Sequence, residues 1–291
     1  MKKTLTVLAE GLGHPEGPDV LPDGRVVFAN TYASELGVWD PKRGKGTYAF
    51  TGGGPNAAVL GSDGWVYSTQ CPTGGKWVAP ERRPPSIQRS SPTGKVEIVA
   101  TEADGIRFNA PNDLTFGPDG RLYFTDSGDW DAVAKPDPGY IVAIETDGTA
   151  HILEELAPVY PNGIVAEPDG SIVWVESYTL NVVRRRPDGS KTVIHTLPDG
   201  HIPDGFKIDA NGNFWITTFG SGGVDVIARD GTPIDFLETG GVMLNCVFGG
   251  TSLYLCDFGT TDTGDATPMF GRLVRVDVGV AGMPQFRGAI G

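Results

Sequence analysis

The sequence predicts an all-β protein, a six-bladed β-propeller, and three observations support this. The 42 glycines and 23 prolines among 291 residues far exceed ordinary usage, which argues against a mainly helical chain. One pattern occurs six times, with starts 40 to 56 residues apart: an oxygen-bearing residue, an apolar strand, a Gly-containing turn and a strand centred on an aromatic. Each copy leaves room for two more strands, and four short strands per repeat are the signature of a propeller blade.

Each copy begins with a hairpin, because Asp-Gly or Asn-Gly, or Gly249-Gly250 in the sixth copy, between two apolar runs is a strong hairpin signal. The six hairpins are predicted at residues 16–28, 56–67, 112–124, 162–174, 204–216 and 245–255. A closed ring needs the chain ends to share a blade, so residues 4–9 are expected to pair as an outermost strand beside residues 273–278. The whole chain, 1–291, is thus predicted to be one domain.

Charge and composition restrict the partners. A net charge of −13 disfavours nucleic acid, and no apolar run approaches the roughly 18 to 20 residues that a membrane span needs. The apolar stretch after Lys3 ends at Glu10, too early for a signal peptide. Cys71, Cys246 and Cys256 are too few for a disulfide scaffold. We therefore expect a cytoplasmic protein, a monomer or small homo-oligomer, that binds a small molecule and neither nucleic acid nor a membrane.

The residue that opens each copy is the candidate functional residue, because the first strand of a propeller blade lines the central channel. All six of these residues carry a side-chain oxygen and none is basic. They are Glu16, Asn56, Asn112, Asn162, Asp204 and Asn245, here called the oxygen cup. Carboxylate and amide oxygens suit a hard cation, and Ca²⁺ above all. Mg²⁺, Mn²⁺ and Zn²⁺ are the alternatives, although zinc prefers a His and Cys cluster that the sequence lacks.

Turn chemistry offers a competing interpretation, since Pro-Asn-Gly and Pro-Asp-Gly are common turn sequences. Position in the repeat separates the two classes: Pro22-Asp23-Gly24 is a hairpin tip, whereas Pro161-Asn162-Gly163 and Pro203-Asp204-Gly205 precede an inner strand. A functional role is favoured for Glu16, Asn112, Asn162 and Asp204. Repeat architecture alone explains Asn56 and Asn245 equally well.

Two long insertions, Thr73–Pro85 and Gly128–Gly139, are either ordinary variable loops or borders of a ligand site. The side chains that would face such a ligand are Trp77, Arg82, Arg83, Trp130 and Lys135.

Histidines and cysteines are the remaining candidates. His14 and His201 lie near Glu16 and Asp204, so each is either a proton shuttle or a structural residue. His151 and His195 fall in outer strands and look structural. Cys246 and Cys256 fall on neighbouring strands of one hairpin and are expected to be buried thiols.

The motifs taken together resemble the senescence marker protein, gluconolactonase and luciferin-regenerating enzyme family, which includes regucalcin and is related to diisopropylfluorophosphatase. The resemblance rests on segments that span nearly the whole chain: 14–18, 107–113, 161–163, 203–205 and 271–278. It implies a six-bladed propeller with Glu16, Asn162 and Asp204 as ligands of a divalent metal. Asn112 matches a position that is a metal ligand in some members and a substrate contact in others.

The resemblance also implies an activity. Asp204 matches the residue proposed as general base or nucleophile, and Arg107 matches a contact to substrate oxygens in sugar lactonases. We therefore expect a metal-dependent lactonase whose substrate contacts are Arg107, Asn112, Asn56 and His14. The alternatives are a phosphotriesterase-like hydrolase that uses the same site and a calcium-binding propeller without enzymatic activity.

Overall fold

The structure is a computed structural model that describes residues 3–71, 73–74, 77–128, 130, 137–259 and 269–291. Within these ranges nearly all regular structure is antiparallel β-sheet, and the one short 3₁₀-helix covers Thr31–Ala33. The strands in chain order are β1 (Thr6–Leu12), β2 (Pro15–Val20), β3 (Val26–Asn30), β4 (Glu35–Asp40), β5 (Gly44–Phe50), β6 (Gly54–Leu60), β7 (Val66–Cys71), β8 (Thr73–Gly74), β9 (Trp77–Val78), β10 (Ser86–Ser90), β11 (Val96–Ala100), β12 (Glu102–Ala103), β13 (Ile106–Arg107), β14 (Pro111–Phe116), β15 (Leu122–Asp126), β16 (Gly139–Ile144), β17 (Ala150–Leu156), β18 (Pro161–Ala166), β19 (Ile172–Glu176), β20 (Asn181–Arg185), β21 (Lys191–Thr196), β22 (Ile202–Ile208), β23 (Phe214–Phe219), β24 (Gly223–Ile227), β25 (Pro233–Glu238), β26 (Met243–Gly249), β27 (Ser252–Asp257) and β28 (Gly271–Asp277).

Six four-stranded sheets form the blades, which confirms the predicted propeller. From the channel outward they are β2-β3-β4-β5, β6-β7-β10-β11, β14-β15-β16-β17, β18-β19-β20-β21, β22-β23-β24-β25 and β26-β27-β28-β1. The innermost strands contact one another all round the ring, including β26 against β2, so the ring is closed. The pairs β8–β9 and β12–β13 are separate two-stranded ribbons.

The two ends of the chain meet in blade 6, as the sequence predicts. Strand β1 pairs antiparallel with β28, and Thr6 lies opposite Arg275. The described residues include no helix long and apolar enough to cross a membrane.

The predicted aromatic of the second strand packs into the core in five of the six blades. Phe28, Tyr67, Phe124, Trp174 and Phe214 are almost completely buried, whereas Tyr254 of blade 6 is only partly buried. Burial of one such side chain contributes about 1.5–3 kcal/mol, so these strands supply much of the core.

Each innermost strand carries a β-bulge at the level of the oxygen cup. In blade 4, strand β18 advances three residues from Pro161 to Ile164, while its partner β19 advances only two, from Glu176 to Trp174. The inner strands of the other five blades shift register by one residue at the equivalent place. A bulge bends its strand and re-aims the local side chain. Asn56, Asn112, Asn162 and Asp204 lie within these bulges, whereas Glu16 and Asn245 border theirs.

The last residues, 279–291, cross the end of the channel opposite the cup and are here called the strap. The Met283 N–H donates to the Ile208 carbonyl (2.9 Å), and the Ser62 N–H donates to the Gly288 carbonyl (2.7 Å). The strap thus spans from blade 5 to blade 2. Between the strap and the ends of the inner strands lies a cavity of about 270 Å³, lined in part by Val20 and Lys207.

Candidate active site at the channel mouth

Three of the cup residues are in direct contact. The Glu16 carboxyl hydrogen-bonds to the Asp204 carboxyl, and the Asn162 amide also hydrogen-bonds to Asp204. The Asn162 Nδ2 atom additionally donates to the Ser177 hydroxyl (3.2 Å). The three residues come from blades 1, 4 and 5, which are distant in sequence. The closed ring therefore brings together the residues that the repeat pattern predicted to converge.

Burial and mutual repulsion perturb both carboxyls. Burial raises the pKa of Glu16 well above its ordinary value, and the carboxylates of Asp204 and Asp113 raise it further. Burial also raises the pKa of Asp204 to about 7, although hydrogen bonds from Glu16 and Asn162 lower it. Two carboxyls can hydrogen-bond to each other only by sharing a proton, as in other carboxyl pairs that occupy one site. Without a cation, the carboxyl pair therefore favours keeping a proton over full ionisation.

Asn112 and Asn56 form the next part of the cup. The Asn56 Nδ2 atom donates to Asn112 Oδ1 (2.9 Å), and the Asn112 amide hydrogen-bonds to the buried hydroxyl of Tyr160. Burial raises the pKa of Tyr160 well above 10, and the Asp204 carboxylate adds to this effect, so the phenol is neutral at pH 7. Tyr160 thus links Asn112 to the neighbourhood of Asp204.

Asn245 has a structural role, and a third carboxylate lies beside it. The Cys246 N–H donates to Asn245 Oδ1 (2.8 Å), while Asn245 Nδ2 donates to Asp113 Oδ2 (3.3 Å). A side chain at Gly205 would collide with the Asn245 amide, so this amide is packed against the neighbouring inner strand. Asp113, only 2% exposed, is close enough to raise the pKa values of Glu16 and Asp204.

Hydroxyl groups tie the inner strands together around the cup. At five junctions between consecutive blades, a Thr or Ser hydroxyl donates to a main-chain carbonyl of the next inner strand. These bonds are Thr31 to Pro55 (2.8 Å), Thr69 to Asn112 (2.6 Å), Thr125 to Asn162 (2.7 Å), Ser177 to Pro203 (2.7 Å) and Thr217 to Leu244 (2.8 Å). Because every acceptor is a cup residue or the residue before one, these bonds fix the spacing of the cup.

The two candidate histidines differ in position. His14 adjoins the cup, and burial lowers its pKa to about 4, so its imidazole is neutral at pH 7. Its Nδ1 atom is buried without a hydrogen-bond partner among the described residues. His201 instead shares a 2.8 Å hydrogen bond with Asp225 and packs against Phe236. The arrangement favours the structural interpretation of His201.

Other predicted contacts lie farther out. Arg107 is exposed on β13, where it lies opposite Glu102 of β12 in the two-stranded ribbon. It does not belong to the Glu16–Asp204–Asn162 group, and its role in substrate binding stays a prediction. The Trp77 side chain is buried, whereas Trp130 is exposed. Lys135 lies outside the described residues, as do parts of both insertions.

The cysteines and outer histidines match their predicted positions. Cys246 and Cys256 lie on neighbouring strands β26 and β27 and are fully buried, and burial raises the pKa of Cys246 to about 12. His151 and His195 lie on the outermost strands β17 and β21.

The cup contains carboxylate and amide oxygens, the kinds of ligand atom that a hard cation prefers. Among the described residues, no three His, Cys, Asp or Glu side chains form a metal-ligand group, so any cation would depend partly on amide oxygens. The Oδ1 atom of Asn162 is such an oxygen, buried and without a hydrogen-bond partner in the described chain. This unused acceptor and the two converging carboxyls fit a cation of the Ca²⁺ type.

Fold and site together thus define a class of protein: the six-bladed β-propellers that carry acid and amide side chains at one mouth of the channel. The chain belongs to the family described as SMP-30/Gluconolactonase/LRE-like region, whose model matches residues 14–256. This finding confirms the family resemblance drawn from the motifs.

Individual relatives and solved structures are similar to the chain at low sequence identity. A gluconolactonase of Zymomonas mobilis is 24% identical over 290 residues, covering 86% of this chain and 78% of the relative. A structure of the calcium-binding protein regucalcin from Agrobacterium tumefaciens superimposes with a TM-score of 0.79 at 22% identity, covering 100% of this chain and 98% of the other. A gluconolactonase structure from Xanthomonas campestris gives a TM-score of 0.76 at 21% identity, with coverages of 94% and 89%.

Proposed function

We propose that this protein is a metal-dependent hydrolase that opens a lactone ring. The observation that carries the proposal is the convergence of the Glu16 and Asp204 carboxyls with Asn162, whose Oδ1 atom is buried and has no hydrogen-bond partner among the described residues. The gluconolactonase relatives and the family membership support the reaction class.

Glu16, Asn162 and Asp204 would hold the cation, with Asn112 as a further ligand or a substrate contact. A bound divalent cation, Ca²⁺ in our proposal, would supply positive charge that favours attack on the lactone carbonyl. Asp204 would take a proton from water as the water oxygen bonds to the carbonyl carbon, and this proton would pass to the ring oxygen as its bond to that carbon breaks. In the alternative route, Asp204 would attack the carbonyl carbon itself, the ring oxygen would leave and take up a proton, and water would then hydrolyse the acyl-enzyme. The neutral Tyr160, held by Asn112, and the neutral His14 offer polar atoms beside Asp204 to orient the substrate.

A hydrolysis screen with and without cations tests the proposal. Chelator-treated protein should be inactive on sugar, alkyl and aromatic lactones, and addition of Ca²⁺ should restore turnover of at least one class. Mg²⁺, Mn²⁺ and Zn²⁺ are tested in parallel to identify the most effective metal. Absence of turnover with every lactone and every cation would contradict a hydrolase and favour a binding protein.

A phosphotriesterase-like activity is the second candidate. Aromatic side chains, including His14 and Tyr160, border the cup, and an apolar border suits an organophosphate ester as well as a lactone. Organophosphate hydrolysis faster than that of every lactone would favour this alternative.

The hydroxyl bonds between blades predict an indirect effect on cation binding. Thr125→Val removes the donor to the Asn162 carbonyl and the acceptor of the Asp113 N–H (3.1 Å). We expect Ca²⁺ affinity to fall about 10- to 100-fold in calorimetric titration, as for other residues that orient a ligand. The unsatisfied backbone groups should also cost about 1–3 kcal/mol in the free energy of unfolding. Thr192→Val, on the exposed outer strand β21, is the control, and equal Ca²⁺ affinities of the two variants would refute this role.

A further inference from the structure

Aromatic rings form a wall on one side of the cup. The His14 ring lies 5.3 Å from Tyr32 and 5.0 Å from Phe258, and Tyr32 lies 5.5 Å from Trp77. His14 has a left-handed φ of 58°, a costly conformation for this residue, and is separated from Glu16 only by Pro15. The wall therefore begins directly beside the carboxyl pair.

A second aromatic wall stands on the side of blade 4. The Tyr160 ring lies 4.8 Å from Trp130 and 5.4 Å from Tyr178, and the Tyr178 hydroxyl donates to the Trp130 carbonyl (2.8 Å). Tyr160 also has a left-handed φ, 54°, and is separated from Asn162 only by Pro161. The same unusual backbone geometry thus places one ring next to the cup in blade 1 and another in blade 4.

The outer ends of the walls are exposed and apolar. Trp130 and Tyr178 are each 41% exposed, and Met269, which packs close to Tyr32, is 46% exposed. A cluster of exposed apolar side chains around a few convergent polar groups is typical of a ligand site.

Two arginines among the described residues near this end of the ring are paired with acidic side chains of the protein itself. The Arg83 guanidinium pairs with Glu81 (2.7 Å), and the Arg272 guanidinium pairs with Asp257. Neither group is therefore free to bind an anionic substrate.

These surroundings discriminate between lactone classes. A sugar lactone has a hydroxyl on most ring carbons, and each hydroxyl that loses water without gaining a partner costs about 1–3 kcal/mol. Aromatic walls provide few such partners, whereas a flat apolar group gains about 25 cal/mol for each Å² that it buries there.

From this geometry we propose that the mouth between the His14 and Tyr160 walls is a binding site for a flat apolar group. The preferred substrates are then aromatic or alkyl lactones rather than sugar lactones. This inference rests on the proposed lactone hydrolysis and adds the substrate class.

The first test compares substrates of one ring size with the cation-loaded enzyme. We expect kcat/KM for dihydrocoumarin and for δ-decalactone to exceed that for glucono-δ-lactone by about tenfold or more, as differential burial of an apolar group predicts. A preference for glucono-δ-lactone would overturn the inference and leave the proposed hydrolysis standing.

The second test changes the wall. Trp130→Ala should raise the KM for dihydrocoumarin about tenfold and leave kcat nearly unchanged, because the ring contacts a group that does not react. Trp130→Phe should recover most of the loss. Ile234→Ala is the matched control, since Ile234 is 54% exposed on the outer strand β25. Equal KM values for Trp130→Ala and Ile234→Ala would rule out the wall.

A non-hydrolysable probe separates the substrate site from the chemistry. The lactam 3,4-dihydro-2-quinolinone has the flat shape of dihydrocoumarin and should bind more tightly than δ-valerolactam in calorimetry, with affinity reduced by Trp130→Ala. Binding without turnover of any lactone would support the apolar site and contradict the proposed hydrolase. Turnover with equally weak binding of both lactams would support the proposed hydrolase and contradict the apolar site.

Discussion

Asp204→Asn should reduce lactone turnover by at least about a thousandfold while leaving the propeller intact. The expected size follows from the loss of a general base or nucleophile together with a charged cation ligand. Asparagine has nearly the same shape, so the hydrogen bond from the Asn162 amide can persist. Steady-state kinetics with saturating Ca²⁺ measure the effect, and circular dichroism checks the fold.

The same substitution should stabilise the cation-free protein, and the effect should depend on pH. The pKa of Asp204 is about 7 in the folded protein and about 4 in the unfolded chain. Below pH 4 both states hold the proton, so the carboxyl imposes no penalty. Between pH 4 and pH 7 the unfolded state loses its proton more readily, and the penalty grows until it is complete above pH 7. We expect Asp204→Asn to raise the free energy of unfolding by on the order of 2 kcal/mol at pH 8 and hardly at all at pH 4.

Asp199→Asn is the matched control, because Asp199 occupies an exposed Pro-Asp-Gly turn with the same local sequence. It should alter neither turnover nor stability. Wild-type rates in Asp204→Asn would show that Asp204 is not the base or nucleophile. An absence of stabilisation at pH 8 would show that the carboxyl pair is not destabilising without a cation.

Arg287→Leu should reduce the free energy of unfolding by about 3 kcal/mol, because the partner of Arg287 is a buried carboxylate. Asp19 is only 1% exposed, and its Oδ1 atom accepts hydrogen bonds from Arg287 Nη2 (3.0 Å) and Gln285 Nε2 (3.0 Å). Removal of the guanidinium leaves a buried carboxylate without its counter-charge and loosens the strap. Urea unfolding in the presence of Ca²⁺ measures the loss, and activity at low temperature should persist.

The exposed pair of Arg25 and Asp23 provides the comparison. Its nitrogen–oxygen distance, 2.8 Å, is typical of an ion pair, but both side chains are well exposed to solvent. Arg25→Leu should therefore change the unfolding free energy by less than about 1 kcal/mol. Similar losses for Arg25→Leu and Arg287→Leu would mean that the strap contributes little to stability.

The sequence predicted the propeller because local signals repeat in phase. Each Asp-Gly tip sets a hairpin, and each following aromatic marks a strand, so that even the pairing of residues 4–9 with 273–278 could be expected, close to the observed strands β1 and β28. The strap could not be predicted. Its contacts, such as that of Arg287 with Asp19, join distant residues that no short-range pattern connects.

The site was predictable in part for the same reason. Position in the repeat identified Glu16, Asn162 and Asp204, which are in contact. Asp113 was missed because the pattern selects one residue per strand, whereas the bulge lets a second residue influence the axis. Tyr160 was missed as well, although it stands two residues before Asn162, as His14 stands before Glu16. Comparison of equivalent positions would have found it.

The pairing of β1 with β28 also determines when the chain can finish folding. During synthesis, residues 6–12 leave the ribosome long before residues 271–277, and blade 6 cannot form until both segments have been made. Contacts so far apart in sequence are associated with slow folding, and an unpaired strand edge invites association with other chains. Until translation reaches the last blade, β1 of the nascent chain therefore has no partner strand. Chaperones or a low protein concentration would limit association of this strand with other chains.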